Sequence, residues 1–196
     1  MLNYTKVADG ISKVLSPVVI AMIATIIFVI GSPIETGTLG PVLSIITGLF
    51  FLSIFPTALI VYFYKKGVVD LDVSNRKKRT PLYIVIIGGY VVASVIFYVT
   101  NCKIMFVLSM AYVCVTSVAT LLNFFTKVSA HSAGVTGPLS ALIYVFGISM
   151  VPLFILFVPL VIWARIKLDA HTPVQLIVGS LTAIIITLLT YYLLYP

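Results

Sequence analysis

The chain is poor in most of what a soluble globule needs. Only 9% of its 196 residues are charged, and Asp and Glu together number five. With 61% hydrophobic residues and a mean hydropathy of +1.23, a chain of this length could not keep its apolar surface from water. The alternating ten-residue pattern of an outer-membrane barrel is also missing. The five acids, Asp9, Glu35, Asp70, Asp72 and Asp169, show no ligand spacing, so neither a metal nor another cofactor is expected. Cys102 and Cys114 fall on or beside one predicted helix, 12 residues apart, too far at a rise of about 1.5 Å per residue to be bridged. The net charge of +7 is spread over connections between apolar runs rather than along one soluble face. That distribution argues against nucleic acid as partner and for anionic membrane lipids.

What is present is a series of long apolar runs, each able to cross a hydrocarbon core of about 30 Å as a helix. An all-α integral membrane protein is therefore expected, one transmembrane domain over residues 1–196, a bundle of six to seven helices in the cell membrane. Residues 1–16 read as an interfacial N-terminal helix, with Val7, Ile11, Val14 and Leu15 opposite Lys6, Asp9 and Lys13 before Pro17. Spans are predicted at about 15–30, 42–64, 82–100 and 103–125, separated by GSPIETGTLGP, by the charged loop KKGVVDLDVSNRKKRTP and by a tight turn near Asn101. The first lacks an A-x-A-like cleavage site and reads as an uncleaved span. The last, about 174–195, follows Thr172 and Pro173, a hydroxyl N-cap with proline at the first helical position.

Residues 133–164 are too long for one comfortable span and short for two. A hairpin turning at residues 147–152 would put His131 and His171 on one face of the membrane; a single helix would separate them. The hairpin also gathers eleven of the twelve basic residues on one side, all but Lys103. The positive-inside rule makes that side cytoplasmic.

Three polar clusters then share one depth, each at a helix end: Arg76 to Arg79, Lys127 to His131, and Arg165 to His171. Two histidines among fixed cations suit an anionic substrate, because guanidinium forks and helix-start N–H groups hold phosphate oxygens and an imidazole can attack or protonate.

These blocks resemble the type 2 phosphatidic acid phosphatases, membrane lipid phosphatases related to the vanadium haloperoxidases. Arg165, five residues and His171 match the third family block, Ser129-Ala130-His131 the second, and Arg79-Thr80-Pro81 the first, so the motif-bearing core covers about residues 72–180. The departures are Asp72 for the lysine seven residues before Arg79, Pro81 one residue late, Ala130 for glycine and Gln175 for aspartate. The missing lysine's role would pass to Arg76, Lys77 or Lys127.

By that resemblance the chain would be a metal-independent phosphatase acting on a lipid phosphate or isoprenyl (pyro)phosphate at the membrane interface. His171 would attack phosphorus and form a phosphohistidine, and His131 would protonate the leaving alkoxide and then activate water. Arg79, Arg165, a lysine and the N–H groups of Ser129 and Ala130 would hold the phosphate. Gln175 either orients His171 or closes a capping box with Thr172. The competing readings are a catalytically inactive relative that binds lipid phosphates, a haem carrier with His131 and His171 as axial ligands, and a transporter.

Overall fold

In a computed structural model, residues 4–195 are described, and they form nine α-helices with no strand among them. Helix α1 (Tyr4–Val14) falls where an N-terminal helix was expected, the first positions of that expectation lying outside the described residues. It ends before Ser16, whose hydroxyl accepts from Val19 N–H and caps α2 (Pro17–Gly31), with Pro17 at the first helical position. Helices α3 (Gly40–Leu49) and α4 (Phe55–Lys65) run into one another through a π-helical stretch at Phe50–Ile54, next to Pro56, which has no N–H to give to the ladder.

Helix α5 (Arg76–Val99) begins six residues before the predicted span. The charge run and Pro81 suggested a later start. Instead the Asn75 side chain caps the helix by accepting from Lys77 N–H, so RKKR forms the first turn. Helix α6 (Lys103–Leu122) follows a turn at Asn101, whose φ of 57° places it in the left-handed region that asparagine tolerates. It stops three residues short of the prediction, where the Asn123 amide turns back to donate to the Arg76 carbonyl and to Thr80 Oγ1.

Helices α7 (Ala130–Phe146) and α8 (Val151–Lys167) are joined at Gly147, φ 76°, and a short 3-10 turn. As one continuous rod, residues 130–167 would be about 57 Å long at 1.5 Å per residue. Yet Lys127 Nζ lies 3.0 Å from the Ala170 carbonyl, so the chain doubles back and both ends of the pair meet. Helix α9 (Pro173–Leu194) follows.

Helix α7 is innermost. Residues Ser132 and Ala133 and all of Val135 to Leu142 are buried, with α2 and α9 packed against it. Small side chains permit this approach. A Cβ at Gly134 would lie 2.6 Å from Pro17 Cβ, and one at Gly179 of α9 would lie 2.9 Å from the Ser129 carbonyl oxygen. The outward faces carry large apolar side chains such as Val95, Ile155 and Ile185, each more than half exposed. Among the described residues five helical stretches are long and apolar enough to cross a membrane, with α7 and α8 taken together as one, or six when the bent pair α1 and α2 counts as one, which is compatible with a multi-pass membrane protein. Cys102 and Cys114 are both free.

Candidate functional site

The three polar segments converge at one end of the bundle, beneath α1. Arg79 rises from the first turns of α5 and is 2% exposed. Its Nε donates to the Val73 carbonyl at 2.6 Å, Nη1 to the Val128 carbonyl at 2.7 Å, and Nη2 to the Asp72 carbonyl at 3.2 Å. Three of its five N–H donors thus tie the 66–75 loop to the segment leading into α7. The expected phosphate clamp is first of all a tie between loops. Val73 shows what the tie holds in place: it is buried and β-branched, with φ at 45°, where such residues are rarely found.

Arg165, on the last turn of α8, is 3% exposed. Its Nη1 donates to Ser12 Oγ of α1 at 3.0 Å, and its Nη2 forms a 2.9 Å ion pair with Asp72 Oδ2. Its Nε is buried and has no partner among the described residues. Burying a donor without an acceptor is costly, and an oxyanion is the kind of group that would satisfy it.

Lys127 donates to the Ala170 carbonyl and so latches the start of α7 to the α8–α9 turn. Its pKa is lowered by burial and by the charges of Arg79 and Arg165. Asp72 shows the opposite balance: burial raises its pKa, but the hydrogen bond and charge of Arg165, with smaller contributions from both histidines, bring it below the ordinary value. Asp72 therefore stays ionised, within electrostatic reach of His131 and His171.

His171 is mostly buried, and its Nδ1 lies 3.1 Å from Gln175 Oε1. The same Oε1 accepts from Thr172 N–H at 3.3 Å, while the Thr172 hydroxyl accepts from Gln175 N–H. A backbone N–H can only donate, so the amide must present its oxygen here, and Nδ1 must carry the ring proton. Among the described residues no hydrogen bond engages Nε2 of His171, whose lone pair is left free. Gln175 closes the capping box and orients His171 at once, so the two roles are not alternatives. Burial, with the nearby Lys127 ammonium next in effect, pushes the His171 pKa down to about 3 against the rise given by Gln175, and the ring is neutral at pH 7.

Ser129 caps α7 by accepting from Ser132 N–H, and Ala130 opens the helix, so the first free N–H groups of α7 sit beside His131. Arg76 is not drawn in. Among the described residues no hydrogen bond or ion pair joins its side chain to the cluster, and only its carbonyl is used, by Asn123. Ser12 and Asp72 were not anticipated as site residues. The signal for Asp72 was there, since it occupies the position of the missing lysine. For Ser12 the only trace was its spacing of four from Ala8, a small-residue pair suited to close helix approach.

A cavity of about 1080 Å³ opens at this cluster. Asp72, His131 and Arg165 line its mouth, and Tyr90, Leu108 and Ala141 line its interior. Along α7 its wall runs from Ala130 to Ala141, about 16 Å of helix. Arg79, Lys127 and His171 flank the mouth without lining the wall, although Ala170, next to His171, does. The arrangement can bind an anionic head at the charged end and an apolar tail along the shaft. No family model, curated protein or solved structure matches this chain.

Proposed function

We propose that the chain is a membrane-bound phosphatase of the type 2 phosphatidic acid phosphatase kind, releasing phosphate from a lipid phosphate through a phosphohistidine. The reading is carried by one observation: the three segments that resemble the family blocks, far apart in sequence, meet at the charged mouth of an apolar shaft, with the His171 tautomer fixed so that Nε2 is free. His171 Nε2 attacks phosphorus, an N–P bond forms, and the P–O bond to the lipid breaks. His131 takes the proton of the bound monoester and passes it to the departing alkoxide, and is left neutral. Neutral His131 then takes a proton from water, whose oxygen attacks phosphorus and releases phosphate and free His171. Arg165, through its unpartnered Nε, and the start of α7 hold the phosphoryl oxygens.

The site faces the cytoplasm and the chain crosses the membrane seven times, α3 and α4 forming one crossing and α7 and α8 two. Support comes from the doubling back of α7 and α8 and from the basic residues collected at the site's end.

Phosphate release from a panel of lipid phosphates by the detergent-purified protein tests the proposal, with His171→Ala expected to abolish turnover. Turnover like that of the unaltered chain in His171→Ala would sink it. A second reading, an inactive lipid-phosphate binder, draws on Gln175, an uncharged group that stabilises a developing imidazolium less than a carboxylate does. Stoichiometric lipid-phosphate binding with no release across the panel would select it.

A further inference from the structure

We infer that Asp72 is a specificity-determining residue, a built-in negative charge that sets the site for a phosphate monoester and against a diphosphate. The inference deepens the reading above and rests on it for the identity of the ligand.

Three cations are fixed at the mouth by hydrogen bonds: Arg79, Arg165 and Lys127. One carboxylate is fixed with them, Asp72, ion-paired to Arg165. The surplus is two positive charges. The remaining charges of the region come as opposites and leave that balance in place: Lys13 and Asp9 form their own exposed pair, Asp70 shares a small surface pocket with Lys78, and Asp169 is exposed two residues from the exposed Lys167. A phosphate monoester carries about −1.5 to −2 at pH 7, and a diphosphate ester roughly one charge more. The monoester matches the surplus, whereas the diphosphate brings its extra charge up to the Asp72 carboxylate.

Asp72 is a permanent member of the site, because its backbone carbonyl is held by Arg79 while its side chain is held by Arg165. A phosphate has no need to displace it. Nη2 of Arg165 belongs to Asp72 and Nη1 to Ser12, but Nε is buried, unpartnered and carried on a residue that lines the cavity. The carboxylate, 45% exposed, therefore stands beside the bound anion at the open mouth, where a second phosphoryl group would meet it at close range.

The test uses the full chain in detergent and two substrates with the same tail, farnesyl monophosphate and farnesyl diphosphate, so that only the head differs. The unaltered chain should favour the monophosphate in kcat/KM. Asp72→Asn keeps the shape and an acceptor for Arg165 while removing the charge, and should move the ratio toward the diphosphate by roughly tenfold or more. Asp72→Ser should move it the same way. Ser12→Ala, which loosens Arg165 without changing charge, should weaken both substrates together and leave the ratio unmoved.

A preference of the unaltered chain for the diphosphate, or an unchanged ratio in both Asp72 variants, overturns the inference. If no variant releases phosphate, calorimetric binding of inorganic phosphate and inorganic pyrophosphate decides. The same tenfold shift in their affinity ratio would uphold the role of Asp72 while the hydrolase reading fails, and the absence of binding would overturn both.

Discussion

Arg79 and Arg165 are the same residue, buried to the same degree in the same cluster, and they do different work. Arg79 spends its donors on three backbone carbonyls from two segments. Arg165 is held by two side chains, Ser12 and Asp72, and keeps Nε unspent. The difference follows from position. Arg79 enters with the first turns of α5, where the irregular 66–75 loop presents carbonyls that have no helix or sheet partner, and a guanidinium satisfies several at once. Arg165 leaves from the end of α8, beneath α1, where side chains surround it. Carbonyls fix a guanidinium as a rivet; side chains at its edges can orient it and leave one N–H edge for a ligand.

The largest effect should come from breaking the rivet. Arg79→Met leaves three carbonyls without their donor and releases the loop that carries Asp72. A loss of about 3 to 5 kcal/mol is expected, as for removal of one partner from a buried charged contact. In thermal unfolding that corresponds to roughly 6 to 20 °C for a chain of this size. Arg165→Lys should have a different signature. An ammonium still pairs with Asp72, so the unfolding temperature should move by only a few degrees, but it has no planar edge to offer and phosphate affinity should fall at least roughly tenfold. Should Arg165→Lys destabilise the protein as much as Arg79→Met while phosphate binding is spared, the comparison fails and both arginines are rivets.

Much of the frame was legible because the signals were local. Long apolar runs, the Thr172-Pro173 start of α9 and the breaks at Asn101 and Gly147 each mark an element with its own chemistry, and all reappear in the structure. Even the reversal between α7 and α8 followed from length and from where the basic residues lie. The site was legible only in part. That His131, His171, Arg165 and Lys127 share one end of the bundle could be reasoned from topology. What Arg79 bonds to could not, since its partners are carbonyls, which look alike in every residue. Ser12 lies 153 positions from Arg165, and nothing in an amphipathic N-terminal helix announces which serine will cover a guanidinium. Asp72 was visible only as a departure from the lysine the family resemblance required.

Gln175 gives the smallest and most discriminating effect. Its Oε1 receives two donors, His171 Nδ1–H and Thr172 N–H, and an amide oxygen has two lone pairs for them. Gln175→Leu removes both bonds, so it should lower stability by about 1 kcal/mol, as losses of caps do, and also lower turnover per folded molecule. Loss of stability alone would mean that His171 needs no orienting partner. Gln175→Glu keeps both acceptors and adds a negative charge, which should raise the His171 pKa from about 3 toward its ordinary value. The sign of the stability effect follows. A histidine with a depressed folded pKa leaves the unfolded chain holding more protons between about 3 and 6.5, so its contribution is complete above about pH 6.5 and is lost as pH falls. Between about pH 5 and 6.5, where a glutamate of ordinary pKa is ionised, Gln175→Glu should flatten the acid-side decline of the unfolding temperature. A decline as steep as that of the unaltered chain would mean that the charge at position 175 does not reach the imidazole, and that the shared oxygen serves the helix cap alone.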